Sequence, residues 1–202
     1  MTRPVTTDLP TQDDLLKADP VFEWIDRHFL RPDPFAFATA NFQEFTLKCA
    51  AEFDLDPNGI YCIGSGAIGL SLNPGKISKG SLKTFDDESD LDIALISEVH
   101  FETGWRNLRE RAHPALNEME GNLVDAMRHQ KKRFFDGAIV ANRLLPQLDF
   151  GPEWIRASLR ISEFVAREFG REVAVNFWIY RDYWSVRSYV ANGIIRCKER
   201  LK

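Results

Sequence analysis

Asp90 and Asp92 carry the plainest chemistry in the chain, standing in Ser89-Asp90-Leu91-Asp92-Ile93 ahead of the apolar run Ala94-Leu95-Ile96. In an extended strand the side chains at i and i+2 share a face, so two carboxylates at that spacing can grip one divalent cation. Upstream, Ile60-Tyr61-Cys62-Ile63 runs into Gly64-Ser65-Gly66, a tight turn able to hold phosphate through its backbone N–H groups. Phosphoryl and nucleotidyl transfer need both halves, donors on the phosphates and a carboxylate-held metal on the reacting oxygens. Lys76, Lys79 and Lys83 lie between the two motifs. They read either as a solvated loop or as cations that neutralise the phosphates of a nucleotide or nucleic acid. With Gly75, Gly80 and two serines among them, the segment from Leu72 to Glu88 is expected to be mobile without ligand.

A Gly-Ser turn followed by an apolar-flanked Asp-x-Asp resembles the signature of the DNA polymerase β-like nucleotidyltransferase superfamily, over about a third of the chain. The resemblance implies an α/β (α+β) fold, a mixed sheet flanked by helices. It also implies that Gly64, Ser65 and Gly66 contact a nucleoside triphosphate such as ATP, with Lys76 beside them, and that Asp90 and Asp92 bind Mg²⁺ or Mn²⁺. The separation of Ser65 from Asp90 is longer than the family usually shows, which implies an inserted loop. The family takes a third carboxylate from a later strand, and here Val175-Asn176-Phe177 puts Asn176 in that place. An amide oxygen can coordinate a cation, but it carries no charge and cannot accept the proton of an attacking hydroxyl near neutral pH. Glu172 would share its face, yet at about 3.3 Å per residue it lies roughly 13 Å away along the strand. Asp149 and Asp182 remain alternative suppliers from loops.

Other motifs fare worse. Gly64 to Gly69 also spells G-x-G-x-x-G after a strand, but Asn73-Pro74-Gly75 stops any helix early and the acidic pair opens its strand rather than closing it, so a dinucleotide site is disfavoured. Gly69 to Lys76 has one residue too many for a Walker A loop, and Ile77 stands where a hydroxyl should reach the metal. Ser65 sits between two glycines, not in a Gly-x-Ser-x-Gly elbow, and no His has an evident carboxylate orienter, which argues against a serine nucleophile. Asp86-Asp87-Glu88 lacks strand alternation and reads as a solvated acidic loop.

These residues need elements to aim them. Residues 1–10 read as a tail, and residues 11–202 as a single domain with helices over 11–58 and the core over 59–202. A helix from Thr11 to His28 is split by Pro20, and a second is expected to start at Asp33-Pro34 and carry a core stripe of Phe35, Ala38, Phe42, Phe45, Cys49 and Phe53. Strands are expected at Tyr61 to Ile63, Leu91 to Ile96 and Val173 to Tyr180. Helices are expected over Trp105 to Phe135 with a break near Pro114, over Glu153 to Phe169, and over Asp182 to Arg200. The basic clusters at Arg106, Arg109, Arg111 and at Arg128, Lys131, Lys132, Arg133 read first as solvated faces and second as a nucleic-acid or acidic-partner surface.

A chain of 202 residues with a net charge of −4 has room for one substantial core, and it has no global field to draw in nucleic acid. Cys49, Cys62 and Cys197 are scattered and odd in number, and His28, His100, His113 and His129 lack metal spacing, so a zinc site is not expected and a cytoplasmic location is. No signal peptide and no membrane-length apolar run is visible. The expected function is transfer of a nucleoside monophosphate from a nucleoside triphosphate to an acceptor that could be a nucleic acid, a protein or a small molecule. The alternative is a weak or inactive nucleotide-binding subunit on the same fold, with a protein partner or a second copy, in a toxin-antitoxin or antiphage assembly.

Overall fold

The computed structural model describes residues 9–29, 33–112 and 121–202. Residues 1–8 of the tail expected over 1–10, and the break near Pro114, lie outside these residues. Two short helices come first, α1 (Gln12–Leu16) and α2 (Val21–His28), separated at Pro20. Thr11 caps α1 through a reciprocal box, in which its hydroxyl accepts from the Asp14 N–H and Asp14 accepts from the Thr11 N–H.

The next helix, α3 (Phe42–Phe53), starts later than Asp33-Pro34 suggests. Asn41 supplies the cap, accepting from the Glu44 N–H at 3.2 Å, while Phe35–Phe37 forms a separate 3-10 turn that drives Phe37 into the core. Then follow β1 (Ile60–Ile63), α4 (Ser65–Ile68), β2 (Leu91–Ile96), α5 (Glu98–Arg111), α6 (Gly121–Phe135), β3 (Ala138–Val140), α7 (Ala141–Leu144), α8 (Gly151–Phe169), β4 (Val175–Tyr180) and α9 (Tyr183–Leu201). The three-residue β3 has no counterpart among the expected strands, and β4 begins two residues later than Val173.

The sheet is mixed, with strand order β1-β2-β4-β3. β1 runs antiparallel to β2, β4 parallel to β2, and β3 antiparallel to β4. Alternation divides the side chains between two faces. Ile60, Cys62, Leu91, Ile93, Leu95, Phe177 and Ile179 join the main core, with α3, α5 and α8 over them. Phe53 of α3 anchors that layer, its ring centroid 4.8 Å from Trp154 and 4.9 Å from Phe177. Full burial of such a side chain contributes roughly 2–3 kcal/mol. The opposite face carries Ile63, Ala94, Ala138 and Tyr180, which pack with Val186 and Tyr189 of α9.

A second apolar cluster ties the amino terminus to the segment between β1 and β2. Leu15, Ala18, Ile25 and Phe29 meet Ala67, Ile68 and Leu82 together with Val190, Ala191, Ile194 and Cys197 of α9. The segment that the sequence suggests is a mobile loop is therefore anchored at Leu82, with Leu72 and Ile77 partly buried beside it. Ser78 and Ser81 exchange backbone hydrogen bonds of 2.9–3.0 Å around Lys79-Gly80, both at positive φ, which is a two-residue hairpin turn. The Gln12 side chain clamps this hairpin, donating to the Gly80 carbonyl at 3.0 Å and accepting from the Leu82 N–H at 2.8 Å. Its ends are held to each other where the Ser71 N–H donates to Lys83 O and the Phe85 N–H to Gly69 O. The composition of the loop is polar, but its buried Leu82 and the Gln12 clamp supply what composition does not reveal.

Candidate functional site

The register of the sheet gathers the predicted residues at one end. Ile63 stands opposite Asp92 in the antiparallel pair, so the turn that follows β1 falls beside the start of β2. Asp92 stands opposite Asn176 in the parallel pair. Gly64, Ser65, Asp90, Asp92 and Asn176 therefore share one end of the sheet, and the even-numbered residues of β2 and β4 share one face.

Gly64 has φ 64° and ψ −149°, a conformation that essentially only glycine adopts. The reason for the glycine is also spatial, because a Cβ at this position would lie 2.9 Å from Asp92 Oδ2. The turn and the acidic strand are thus in direct apposition. Gly66 answers a different need. A Cβ there would meet Cys62 Sγ at 2.9 Å and Leu91 Cδ2 at 3.3 Å, so this residue lets α4 pack onto β1 and β2 and its Cα faces the core. Ser65 is half-buried, and its hydroxyl has no hydrogen-bond partner among the described residues. Of the three turn residues, Gly64 and Ser65 are the ones left facing a ligand.

The two carboxylates differ. Asp90 is exposed, whereas Asp92 is half-buried and burial pushes its pKa up from the ordinary 3.8. Donation from the Trp178 indole and from Asn176 pulls it back, the charge of Asp90 raises it again, and Lys76 lowers it. The indole Nε1 lies 3.2 Å from Asp92 Oδ1, and the Asn176 amide nitrogen lies 3.5 Å from Asp90 Oδ2. Lys76 reaches the site only through its charge, from an exposed position. Lys83 instead pairs with Asp86 at 3.3 Å, and Lys79 sits at the hairpin tip.

Asn142, on α7, is a participant that the sequence does not advertise. Its Oδ1 accepts from the Phe177 N–H at 3.0 Å, and its Nδ2 donates to Val175 O at 3.2 Å and to Asn176 Oδ1 at 3.0 Å. Trp178 carries a weak sequence signal, since it lies two positions beyond Asn176 on the same face. The guanidinium of Arg133 rests 5.3 Å from the centroid of the Trp178 ring, which brings the basic end of α6 to the site.

The remaining candidates are engaged elsewhere. Asp182 caps α9 by accepting from the Ser185 N–H and hydroxyl, both at 2.7 Å, at the far end of β4 and roughly 20 Å along the strand from Asn176. Asp149 exchanges two hydrogen bonds with Asn107. Glu172 is exposed and precedes β4. The acidic run folds into its own turn, where Asp86 accepts from the Ser89 hydroxyl and Asp87 meets Arg171. His100 accepts or donates at Ser97 Oγ, 2.8 Å away, and packs on Phe150 and Trp154, where burial lowers its pKa. Cys49 and Cys62 are buried thiols whose pKa values burial drives upward, so they are poor nucleophiles.

Among the described residues no three His, Cys, Asp or Glu side chains converge on a metal position. The donor set at this end of the sheet suits a cation that takes one or two carboxylates and completes its shell with water and phosphate oxygens, which is the habit of Mg²⁺. Among the described residues no helix is long and apolar enough to cross a membrane. Compared with family models, curated proteins and solved structures, the chain matches none.

Proposed function

We propose that this end of the sheet binds a nucleoside triphosphate with a divalent cation and transfers its nucleotidyl group to a hydroxyl acceptor. The observation that carries the reading is the apposition of Gly64 and Asp92, in which a Cβ on the turn would come within 2.9 Å of a carboxylate oxygen. A phosphate seated on the turn is then within reach of a cation seated on the acid pair. The same apposition is what the likeness to the polymerase β-like nucleotidyltransferases calls for, and the fold proposed here is theirs.

In this reading the N–H groups following Gly64 and the Ser65 hydroxyl hold phosphate oxygens, which are strong acceptors for charge-assisted hydrogen bonds. Asp90 and Asp92 would hold Mg²⁺ or Mn²⁺, which when bound offsets the charge on the phosphates as the in-line displacement proceeds. Lys76 adds a point charge on the same side. Asn176 cannot take the acceptor's proton, so that proton leaves to exposed Asp90 or to solvent.

A second reading, nucleotide binding without turnover, has one specific observation in its favour. The amide of Asn176 presents its NH₂ toward Asp90, so the position that would carry a third carboxylate supplies a donor instead. The native chain with nucleoside triphosphate and Mn²⁺ should release pyrophosphate on addition of an acceptor, and its melting temperature should rise by ligand linkage. Asp90→Ala/Asp92→Ala should lose both effects. A melting shift without pyrophosphate release selects the second reading, and an equal shift in the double variant removes the site.

A further inference from the structure

We propose that Asn142 is a positioning residue that fixes the polarity of the site, holding Asn176 as a hydrogen-bond donor toward the acid pair and keeping its oxygen away from any cation there. The proposal rests on the reading of Asp90 and Asp92 as a cation site, and it follows from a chain of hydrogen bonds anchored in the backbone.

β3 pairs with β4 only over Trp178–Tyr180, so among the described residues the edge of β4 from Val175 to Phe177 has no partner strand on that side. The Asn142 side chain takes the place of one. The Phe177 N–H can only donate, so the atom of Asn142 that meets it at 3.0 Å must be oxygen. The Val175 carbonyl can only accept, so the atom facing it at 3.2 Å must be the amide nitrogen. Two backbone groups of opposite character thus assign the orientation of Asn142. Its second N–H points at Asn176 and needs an acceptor, which is Oδ1 at 3.0 Å. The NH₂ group of Asn176 is then left facing Asp90 and Asp92. Rotating the Asn176 amide would oppose two NH₂ groups and strand both donors.

The consequence is a division of labour. The acid pair takes a cation through carboxylate oxygens, and Asn176 offers N–H to an acceptor on the ligand, for which a phosphate oxygen is the chemical match.

The test reverses the polarity. Asn142→Asp keeps an oxygen for the Phe177 N–H but replaces the donor with a second acceptor, so Asn176 should turn its NH₂ to residue 142 and its oxygen to the acid pair. Mn²⁺ binding, read by electron paramagnetic resonance, should tighten about tenfold, as expected for a change in the groups that orient a metal ligand. Added charge alone would also tighten it, so Asn142→Asp/Asn176→Ala is the control and should lose the gain. Retention of the full gain in that double variant, or no gain at all in Asn142→Asp, overturns the proposal.

A metal-free readout stands beside it. The Asn176 side-chain amide resonances should move on Asp90→Asn in the native background and stay still on the same change in the Asn142→Asp background. Resonances that stay still in the native background also overturn the proposal, and that arm of the comparison needs no folded Asn142 variant. Failure of the native chain to bind Mn²⁺ removes the cation reading instead, and the resonance comparison then decides the polarity of Asn176 by itself.

Discussion

The indole N–H of Trp178 donates to Asp92 Oδ1 at 3.2 Å, which couples the charge on β2 to an aromatic residue on β4. Asp92 is the half-buried member of the acid pair, and burial is the largest influence on it, raising its pKa above 3.8. The folded state therefore holds this proton more tightly than the unfolded chain does. The resulting stability is fully present below the unfolded pKa and is lost as pH rises through the folded one. Asp92→Asn keeps an acceptor for the indole and removes the titration. It should be more stable than the native chain at pH 7 without metal, with the two stabilities approaching each other as the pH falls below the ordinary carboxylate range. Urea denaturation at several pH values measures this, and a variant less stable than the native chain at pH 7 would show that the charge is fully compensated.

Trp178→Phe isolates the hydrogen bond from the ring. The phenyl group still offers a face to Arg133, but Asp92 loses the donor that most lowers its pKa, so that pKa should rise further. A hydrogen bond to a charged group contributes about 1.5–3 kcal/mol. The loss should be of that size at neutral pH and should shrink on acidification, because a protonated Asp92 depends less on the donor. A loss independent of pH would assign it to ring packing.

Gly64→Ala addresses the turn. The φ of 64° with ψ −149° costs a non-glycine residue of order 1–3 kcal/mol, and the new methyl group would also displace Asp92 Oδ2. Thermal unfolding should show the stability loss, and Mn²⁺ affinity should fall with it. Gly80→Ala is the control, since its Cβ would meet nothing within 4 Å despite a φ of 75°. That change should cost stability without touching the metal.

Gln12→Ala should free the hairpin. Removing both bonds to Gly80 and Leu82 is expected to cost about 1–3 kcal/mol, because the Gly80 carbonyl is left open to water but the N–H of buried Leu82 loses its acceptor. Hydrogen exchange at the Leu82 amide should quicken, and trypsin should cut sooner at Lys76 and Lys79. Unchanged exchange would mean that Leu82 packing alone holds the segment.

The strands and the acid pair were legible because their signals are local. Leu91 to Ile96 is an apolar run broken only by Asp92 and flanked by polar residues, and Asp90 and Asp92 share a face by the geometry of any strand. The carboxyl-terminal helices were legible from their caps, Asp182 and Gly170. The missing parts depend on partners distant in sequence. Three residues, Ala138–Val140, are too few to show a period, and become a strand only because β4 offers an edge. The hairpin around Lys79-Gly80 reads as a flexible loop until Gln12, many residues away, supplies its clamp. Asn142 has no signal of its own, because its role comes from a tertiary contact with the edge of β4. The helix expected at Asp33-Pro34 began instead at Phe42, since the same phenylalanine stripe can be met by a 3-10 turn followed by a capped helix.

Asn176→Asp is the sharpest test of what limits the site. Asn142 Nδ2 can donate to a carboxylate oxygen as readily as to an amide oxygen, so the new side chain has its inner partner already in place. Its outer oxygen would replace the NH₂ that now faces Asp90 at 3.5 Å, converting a favourable contact into a repulsive one. Without metal the variant should therefore melt about 2–4 °C lower, the equivalent of about 1 kcal/mol in a chain of this size. With Mn²⁺ the order should reverse, because three carboxylates then share a cation. If the site performs nucleotidyl transfer, turnover should rise by about 10²–10⁴, the range for a newly positioned general base. Tighter Mn²⁺ binding with no gain in turnover would leave binding without chemistry as the better account, and no change in either would show that residue 176 does not face the acid pair.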